Sequence, residues 1–496
     1  MMRIGLDIGS SSAKAILIDP AGRVLRSARR RFTTRRALGG RVEHDPEGLY
    51  RAAITTLHAA ADALPAGGPA ALGIATQRST MLFWDRRSGR PLTPALSWQD
   101  LRAAALCRRL RQRHRGAMEQ VAAITGLRLS AHYAAPKIAW ALRSLPGLRR
   151  RVARGEALWG TLGTWLFWRL TEGALYAVDH ANAQRTALFD LDRLAWEPSL
   201  FELFGIADLL DAPALPALVP TSLAGGAVIT VRGRALRLAA STGDQQAALV
   251  GLGCRRAGDV AINYGSGAFV MMRVGAMPRR VPGLLTTLVS SRHASGGGCV
   301  ASFAVEGPVN AAATALDWVA RRIGRTLRTG SLDRILGTYD PDSPRTLAFL
   351  PAVAGLGAPH WDETARPRFA GEIDAATRED MVRAAVESIA HRCAEIVRAA
   401  RRTGALRPGG RNAVRVSGGL TRCRYLLQVQ ADLLQRPLHV LESRDATALG
   451  AALQAGAAEA PAPRPARASV IDPRSTAAAA RRMQGRWERA VYGCAG

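Results

Sequence analysis

The sequence predicts an α/β protein made of two related halves that face each other across a cleft. Three observations lead there. The chain has 496 residues, more than one hydrophobic core usually organises. A strand–bend–strand unit stands at its start, and a second unit of the same design begins at Asp259. Such a recurrence points to a duplicated domain with paired loops.

The elements follow in order. Arg3 to Gly9 is an apolar strand ending in a tight turn, Ser10-Ser11-Ser12 prolongs the turn, and Ala13 to Ile18 is a second strand. Asp19-Pro20-Ala21-Gly22 is a turn tetrad that leads into a third strand around Arg23 to Ser27. Helical periodicity marks Asp100 to Arg113 and Ala135 to Leu145. In the second unit, Asp259 to Tyr264 is a strand, Gly265-Ser266-Gly267 a bend and Ala268 to Val274 a strand. Pro308 to Arg322 and Glu379 to Arg402 are predicted helices with alanine-rich faces. Val414 to Ser417 is a buried strand feeding the turn Gly418-Gly419 and another helix. Ala460 to Arg467 is a Pro/Ala/Arg-rich linker or strap, and a basic helix runs from Thr476 to Val491. The predicted division is 1–250, 251–458 and a 459–496 tail, with the boundary near Leu249 to Ala257.

Composition narrows the function classes. No apolar run reaches the roughly 18 residues that span a bilayer, and Met1 leads straight into a strand containing Asp7. The six cysteines, Cys107, Cys254, Cys299, Cys393, Cys423 and Cys494, form no C-x-x-C pair, so neither a zinc site nor a disulfide framework is expected. The expected address is the cytoplasm. The net charge of +29 is almost all arginine, since Lys14 and Lys137 are the only lysines. Arginine pairs are scattered without an aromatic-studded basic module, so a solvated basic surface is expected rather than specific nucleic-acid binding.

Phosphoryl transfer needs a polyphosphate cradle, a positioned acceptor hydroxyl and a group that takes its proton. No Walker A loop is present, because neither lysine follows a glycine, and the protein-kinase triplets D-F-G and H-R-D are missing. The two bends supply a different cradle: small residues let backbone N–H groups and the Ser10, Ser11, Ser12 and Ser266 hydroxyls approach phosphate oxygens. Lys14 lies just past the first bend, and a lysine kept in an arginine-rich chain draws attention there. It is equally an ordinary strand lysine. Lys137 shares the compositional oddity, with a structural role favoured. Asp244, at a glycine-preceded helix start, is either a plain N-terminal acid or a general base. Spacing alone leaves both open.

These residues belong to an ordered series that resembles the FGGY carbohydrate kinases, with the glycerol kinase branch nearest by motif. The series is Gly5-Leu6-Asp7-Ile8-Gly9 with Lys14, Thr76-Gln77-Arg78, Ser97-Trp98-Gln99-Asp100, Gly163-Thr164-Trp165-Leu166 and Asn182 to Phe189. It continues through Gly243-Asp244-Gln245-Gln246, Tyr264 to Phe269, Gly355 to Trp361, Ser417-Gly418-Gly419, Gln430-Ala431-Asp432 and Ala448-Leu449-Gly450. The resemblance implies two actin-like (ribonuclease H-like) ATPase domains, ATP mainly on the second and the acceptor mainly on the first. It implies Asp244 as base and Asp7 as the acid that organises Mg2+ through water. Phosphate or nucleotide contact is implied for Ser10, Ser11, Ser12, Lys14, Gly265, Ser266, Gly267, Asp317, Gly418 and Gly419. For the acceptor, the implied set is Arg78, Ser79, Trp98, His132, Tyr133, Asp244, Gln245 and Phe269.

The chain departs from the glycerol kinase pattern in places. Ser79 stands where that branch has an acid after the arginine, and His132 stands where it has an acceptor-contacting tyrosine, with Tyr133 adjacent. Ala313 and Asp317 stand where it usually has glycine and glutamine. Tyr133-Ala134-Ala135-Pro136-Lys137 is nearer to xylulokinases. The expected function is therefore ATP-dependent phosphorylation of a small polyol or ketose, without a membrane or a specific nucleic acid as partner; the assembly is left open by the sequence, a homodimer being one form it could take. The competing reading is a non-catalytic actin-like ATP-binding sensor, which retention of both Asp7 and Asp244 disfavours.

Overall fold

In a computed structural model, the chain is described over residues 1–65, 70–211, 215–223, 225–341, 343, 346–406, 414–441, 445–456 and 469–493. Two mixed sheets organise it. The first holds β1 (Arg3–Ile8), β2 (Ser12–Ile18), β3 (Val24–Arg31), β4 (Ala70–Thr76), β5 (Val228–Val231) and β6 (Arg234–Gly243), in the order β5-β6-β4-β1-β2-β3. The second holds β7 (Val260–Tyr264), β8 (Ala268–Gly275), β9 (Leu285–His293), β10 (Cys299–Val309), β11 (Val414–Gly418), β12 (Leu438–Val440) and β13 (Ser469–Ile471), in the order β9-β10-β8-β7-β11-β12-β13.

The two sheets repeat one plan. β1 pairs antiparallel with β2 and parallel with β4, which is parallel to β6. Likewise β7 pairs antiparallel with β8 and parallel with β11, which is parallel to β12. The central strands are near-continuous apolar runs because both faces are covered; β4 is buried at every residue. The second sheet and the helix Arg378–Arg402 share one core, and the first sheet packs on the helix Pro46–Ala61.

Four helices bear on the site: α1 (Ala134–Ser144), α2 (His180–Gln184), α3 (Asp244–Gly251) and α4 (Ala313–Arg322). A fifth, α5 (Ala446–Gln454), follows the second sheet yet packs on β1, β4 and α3 of the first half. Glycine makes that approach possible: a Cβ on Gly5 would come within 1.9 Å of the Ala448 carbonyl oxygen. Between β4 and β6 the chain builds a further body with its own core. That body supplies Ala95–Leu96, Met81–Asp85 and Ala157–Thr161 to a five-stranded sheet whose other two strands, Thr34–Ala37 and Arg41–His44, come from the stretch before β4.

Several boundaries differ from expectation. Pro308 does not open a helix: it lies in β10 opposite Phe269, and α4 begins at Ala313. Proline suits a helix start and breaks a ladder, and here it falls where the pairing of β10 with β9 has already ended at Glu306, so that only β8 flanks it. The helix expected from Asp100 begins at Ala104, since the Asp100 carboxylate is tied to Val42 N–H and Arg102. The third strand runs on to Arg31 along the sheet edge. The last helix spans Ala477–Tyr492. The linker Ala460 to Arg467 lies outside the described residues.

Candidate active site

The first bend closes when Gly9 N–H donates to the Ser12 carbonyl at 3.1 Å. Two neighbours fix it: Trp98 Nε1 donates to Ser10 Oγ at 3.0 Å, and Thr34 Oγ1 donates to the Ser10 carbonyl at 3.1 Å. Ser10 Oγ thus keeps its own proton to give, and Ser11 is exposed. Ser12 Oγ accepts from Arg29 Nε at 3.0 Å. Asp7 faces Lys14 across the hairpin register, and Lys14 Nζ lies 2.8 Å from Asp445 of the second half. Burial, reinforced by the Asp244 carboxylate, pushes Asp7 up to about 7. Its buried Oδ1 has no hydrogen-bond partner, and neither do Thr76 Oγ1 and Thr242 Oγ1 at the ends of the adjoining strands.

β6 delivers Asp244 to the first position of α3, with Gly243 as the N-cap. Gln245 N–H donates to Asp244 Oδ1 at 2.8 Å. Burial raises this carboxyl above the ordinary range, against the pull of Arg78, whose Nε lies 3.7 Å away. Arg78, from the loop after β4, turns its Nη1 to Glu306 Oε2 at 2.8 Å. Glu306, on β10, also takes Arg185 Nη2 on Oε1 at 2.9 Å, and Arg185 donates to Thr287 Oγ1 as well. Burial works against the Glu306 anion, but Arg185 and Arg78 together hold it at about 2.

A loop cluster lies beside this group. Trp98 and His132 rings stand 6.2 Å apart, and His132 Nδ1 is 2.9 Å from the Trp98 carbonyl. A carbonyl only accepts, so Nδ1 carries the proton, and in the neutral ring Nε2 presents a lone pair. Lys137, buried on α1, donates to the carbonyls of Ser79, Ser97 and His132 at 3.1, 2.7 and 2.8 Å. Its role is structural: one ammonium ties three segments of the cluster together. Burial pulls it down to about 7. Ser79 is itself buried and adopts a left-handed backbone, φ 61°. Buried Tyr133 shares the field of Arg185, Glu306 and Arg78. Phe269, half-buried, sits on β8.

The second bend is held differently. Gly265 N–H donates to the Gly267 carbonyl at 2.8 Å. The Ser266 carbonyl accepts from Ala312 N–H and Thr314 N–H, at 2.8 and 3.1 Å, where α4 begins. Gly265 and Ser266 are exposed. Gly418 pairs with Tyr264 beside them at φ 105°, where a Cβ would lie 2.2 Å from the Tyr264 carbonyl oxygen. Gly419 has open space around it, and Asp317 is exposed on α4.

Asp7, Arg78 and Asp244 are therefore coupled, and Ser10, Trp98, His132 and Ser79 form a connected loop cluster. Sequence reasoning missed Glu306 altogether and quoted Arg185 only as part of a motif. A signal was available: Glu306 is the single acid in Phe303-Ala304-Val305-Glu306-Gly307, an otherwise apolar strand, and a buried strand acid needs a partner.

The chain matches the FGGY family of carbohydrate kinases, N-terminal domain, over residues 2–251 and the C-terminal domain over 260–459. It is 38% identical over 467 residues to a glycerol kinase of Thermus brockianus, covering 91% of this chain and 89% of that protein. To a glycerol kinase of Aromatoleum aromaticum it is 37% identical over 461 residues, covering 91% and 89%. The fold is shared with Plasmodium falciparum glycerol kinase solved with ADP (TM-score 0.88, 24% identity, 99% and 97% covered). It is also shared with xylulose kinase from Rhodospirillum rubrum (TM-score 0.83, 22% identity, 99% and 98% covered).

Proposed function

Because the chain belongs to the FGGY family of carbohydrate kinases and is an ATP-dependent kinase acting on an alcohol, we propose that Asp244 is the base that takes the acceptor hydroxyl's proton, and that the acceptor is a four- or five-carbon polyol or ketose. Arg78 donates to acceptor hydroxyls. Trp98 and Phe269 cover its carbon skeleton, with Gln245, Tyr133 and His132 at its rim. Asp244 suits its task because burial raises its basicity while Arg78 stays at 3.7 Å, too far for a close ion pair to quench it.

The nucleotide side is read the same way. The bends at Ser10–Ser12 and Gly265–Gly267 receive phosphates on backbone N–H groups and hydroxyls, and Gly418-Gly419 leaves room for the adenosine. Lys14 and Asp317 stand at the edges of this site. The residues present also fit Mg2+. The unpartnered, buried Asp7 oxygen provides one anionic ligand, and no group of three or more His, Cys, Asp or Glu suited to a metal occurs among the described residues. One carboxylate leaves most coordination to phosphate and water, as magnesium prefers. Bound there, Mg2+ would offset charge on the phosphates. Among the described residues, no helix is long and apolar enough to cross a membrane.

Ser79 carries the acceptor assignment. An acid beside Arg78 would accept from a hydroxyl and fix a short polyol; serine is shorter and uncharged, and frees room for a longer chain. A lost hydrogen bond to a charged group is worth roughly 1.5–3 kcal/mol, about one to two orders of magnitude in affinity. The names of the curated relatives favour glycerol as the second reading. ADP release with Mg-ATP across glycerol, four- and five-carbon polyols, ketopentoses and aldoses decides. The highest kcat/KM should fall on a four- or five-carbon acceptor; a maximum on glycerol overturns that assignment.

A further inference from the structure

The buried charge cluster around Glu306 has a consequence for the reaction. Arg78 comes from the first half, Arg185 from the end of α2, and Glu306 from the second sheet. All three side chains are at most 11% exposed. Two buried guanidiniums beside one carboxylate base are an unstable arrangement without a further anion, because each would seek Asp244. Glu306 gives each of its oxygens to one arginine: Oε2 to Arg78 at 2.8 Å and Oε1 to Arg185 at 2.9 Å. Arg78 thereby turns its Nη1 to Glu306 and meets Asp244 with its Nε, at 3.7 Å.

We propose that Glu306 is a positioning residue which, by holding Arg78 and Arg185, presents Arg78 to the acceptor and keeps the Asp244 carboxylate out of a close ion pair. This rests on the reading of Asp244 as the base. The electrostatics agree in sign. Asp244 is faced by Arg78 and Arg185, which favour its anion, by Glu306, which disfavours it, and by Asp7, with which it shares like-charge repulsion; Tyr133 lies among the same arginines. Glu306 therefore balances the arginines at the base, although it touches no reacting atom.

The consequences differ between variants. Glu306→Gln keeps the shape but removes the anion, so Arg78 is drawn onto Asp244. The acceptor KM should rise about tenfold, the scale of one lost charged hydrogen bond, and the acid limb of the kcat/KM profile should move to lower pH. Glu306→Asp retains the charge on a shorter stem, so it should restore the limb while leaving the acceptor KM raised. Arg185→Met removes one cation and should move the limb the opposite way, to higher pH.

The test is the pH profile of kcat/KM and the separate KM values for acceptor and ATP in the full-length protein, with the best acceptor of the panel. Glu306→Gln and Arg185→Met shifting the limb in opposite directions, with KM for ATP unchanged, supports the proposal. An unmoved limb in both, or equal rises in both KM values, overturns it. Should Glu306→Gln not fold, Arg185→Met alone decides by the sign of its shift. Failure of the base assignment is separately visible, because Asp244→Asn would then keep its turnover while the Glu306 variants are still measured on an active enzyme.

Discussion

The same hairpin is built twice in this molecule, and the two copies carry different chemistry. Asp7-Ile8-Gly9 ends β1 where Asn263-Tyr264-Gly265 ends β7, and the neighbouring parallel strand pairs Thr76 with Ile8 in one half and Gly418 with Tyr264 in the other. In the first half the bend is hemmed by side chains: Trp98, Thr34 and Arg29 all hydrogen-bond to its serines. In the second, Gly265 and Ser266 are exposed, and the adjoining turn is stripped to Gly418-Gly419. The carboxylate of one copy is an amide in the other. The comparison teaches that one backbone plan serves two tasks. On the function proposed above both bends receive phosphates, while the charged strand ends of the first half serve the small acceptor and its proton and the bared glycines of the second serve the bulky nucleotide.

The comparison is sharpened most by Asp244→Asn. Losing the proton acceptor should cost about 10²–10⁴ in kcat, while nucleotide binding, followed by titration calorimetry, persists. Gly418→Ala should be next. A methyl 2.2 Å from the Tyr264 carbonyl at φ 105° costs roughly 1–3 kcal/mol of strain or displacement, so KM for ATP should rise about tenfold or more with acceptor KM little changed. Ser79→Glu should shift the kcat/KM ratio toward glycerol by about tenfold, a smaller effect because the left-handed backbone at this position must also accommodate the longer side chain.

The smallest effect is on stability. Asp7 binds its proton more tightly folded, at about 7, than an ordinary unfolded carboxyl at 3.8. Between those values the folded state holds more protons, so this group's contribution to stability falls as pH rises. Thermal melts of the ligand-free protein should therefore show Asp7→Asn gaining Tm relative to the parent as pH is raised from about 4 to 7. A difference that stays flat with pH would show that Asp7 is not strained in this way.

Much of this was legible in the sequence for local reasons. The Gly/Ser bends between apolar runs define both hairpins, and Asp244 behind Gly243 marks a helix start. What was not legible depends on contacts between distant segments. Glu306 meets Arg78 from 228 residues away, and no local pattern encodes that meeting. The alanine-rich face of Pro308 to Arg322 invited a helix from its first residue, yet Pro308 is read out in context as the end of a strand, with its carbonyl accepting from Ala358 N–H at 3.0 Å. Lys137 stood out by composition alone; its three carbonyl partners come from three separate segments.

The proposed division of labour between the halves is put to the test by the pair of KM values for Arg78→Met. Methionine keeps the apolar stem but donates nothing. The acceptor KM should rise by about tenfold or more, as for a lost charged hydrogen bond, while the ATP KM stays within about twofold of the parent. Equal increases in both KM values would contradict it.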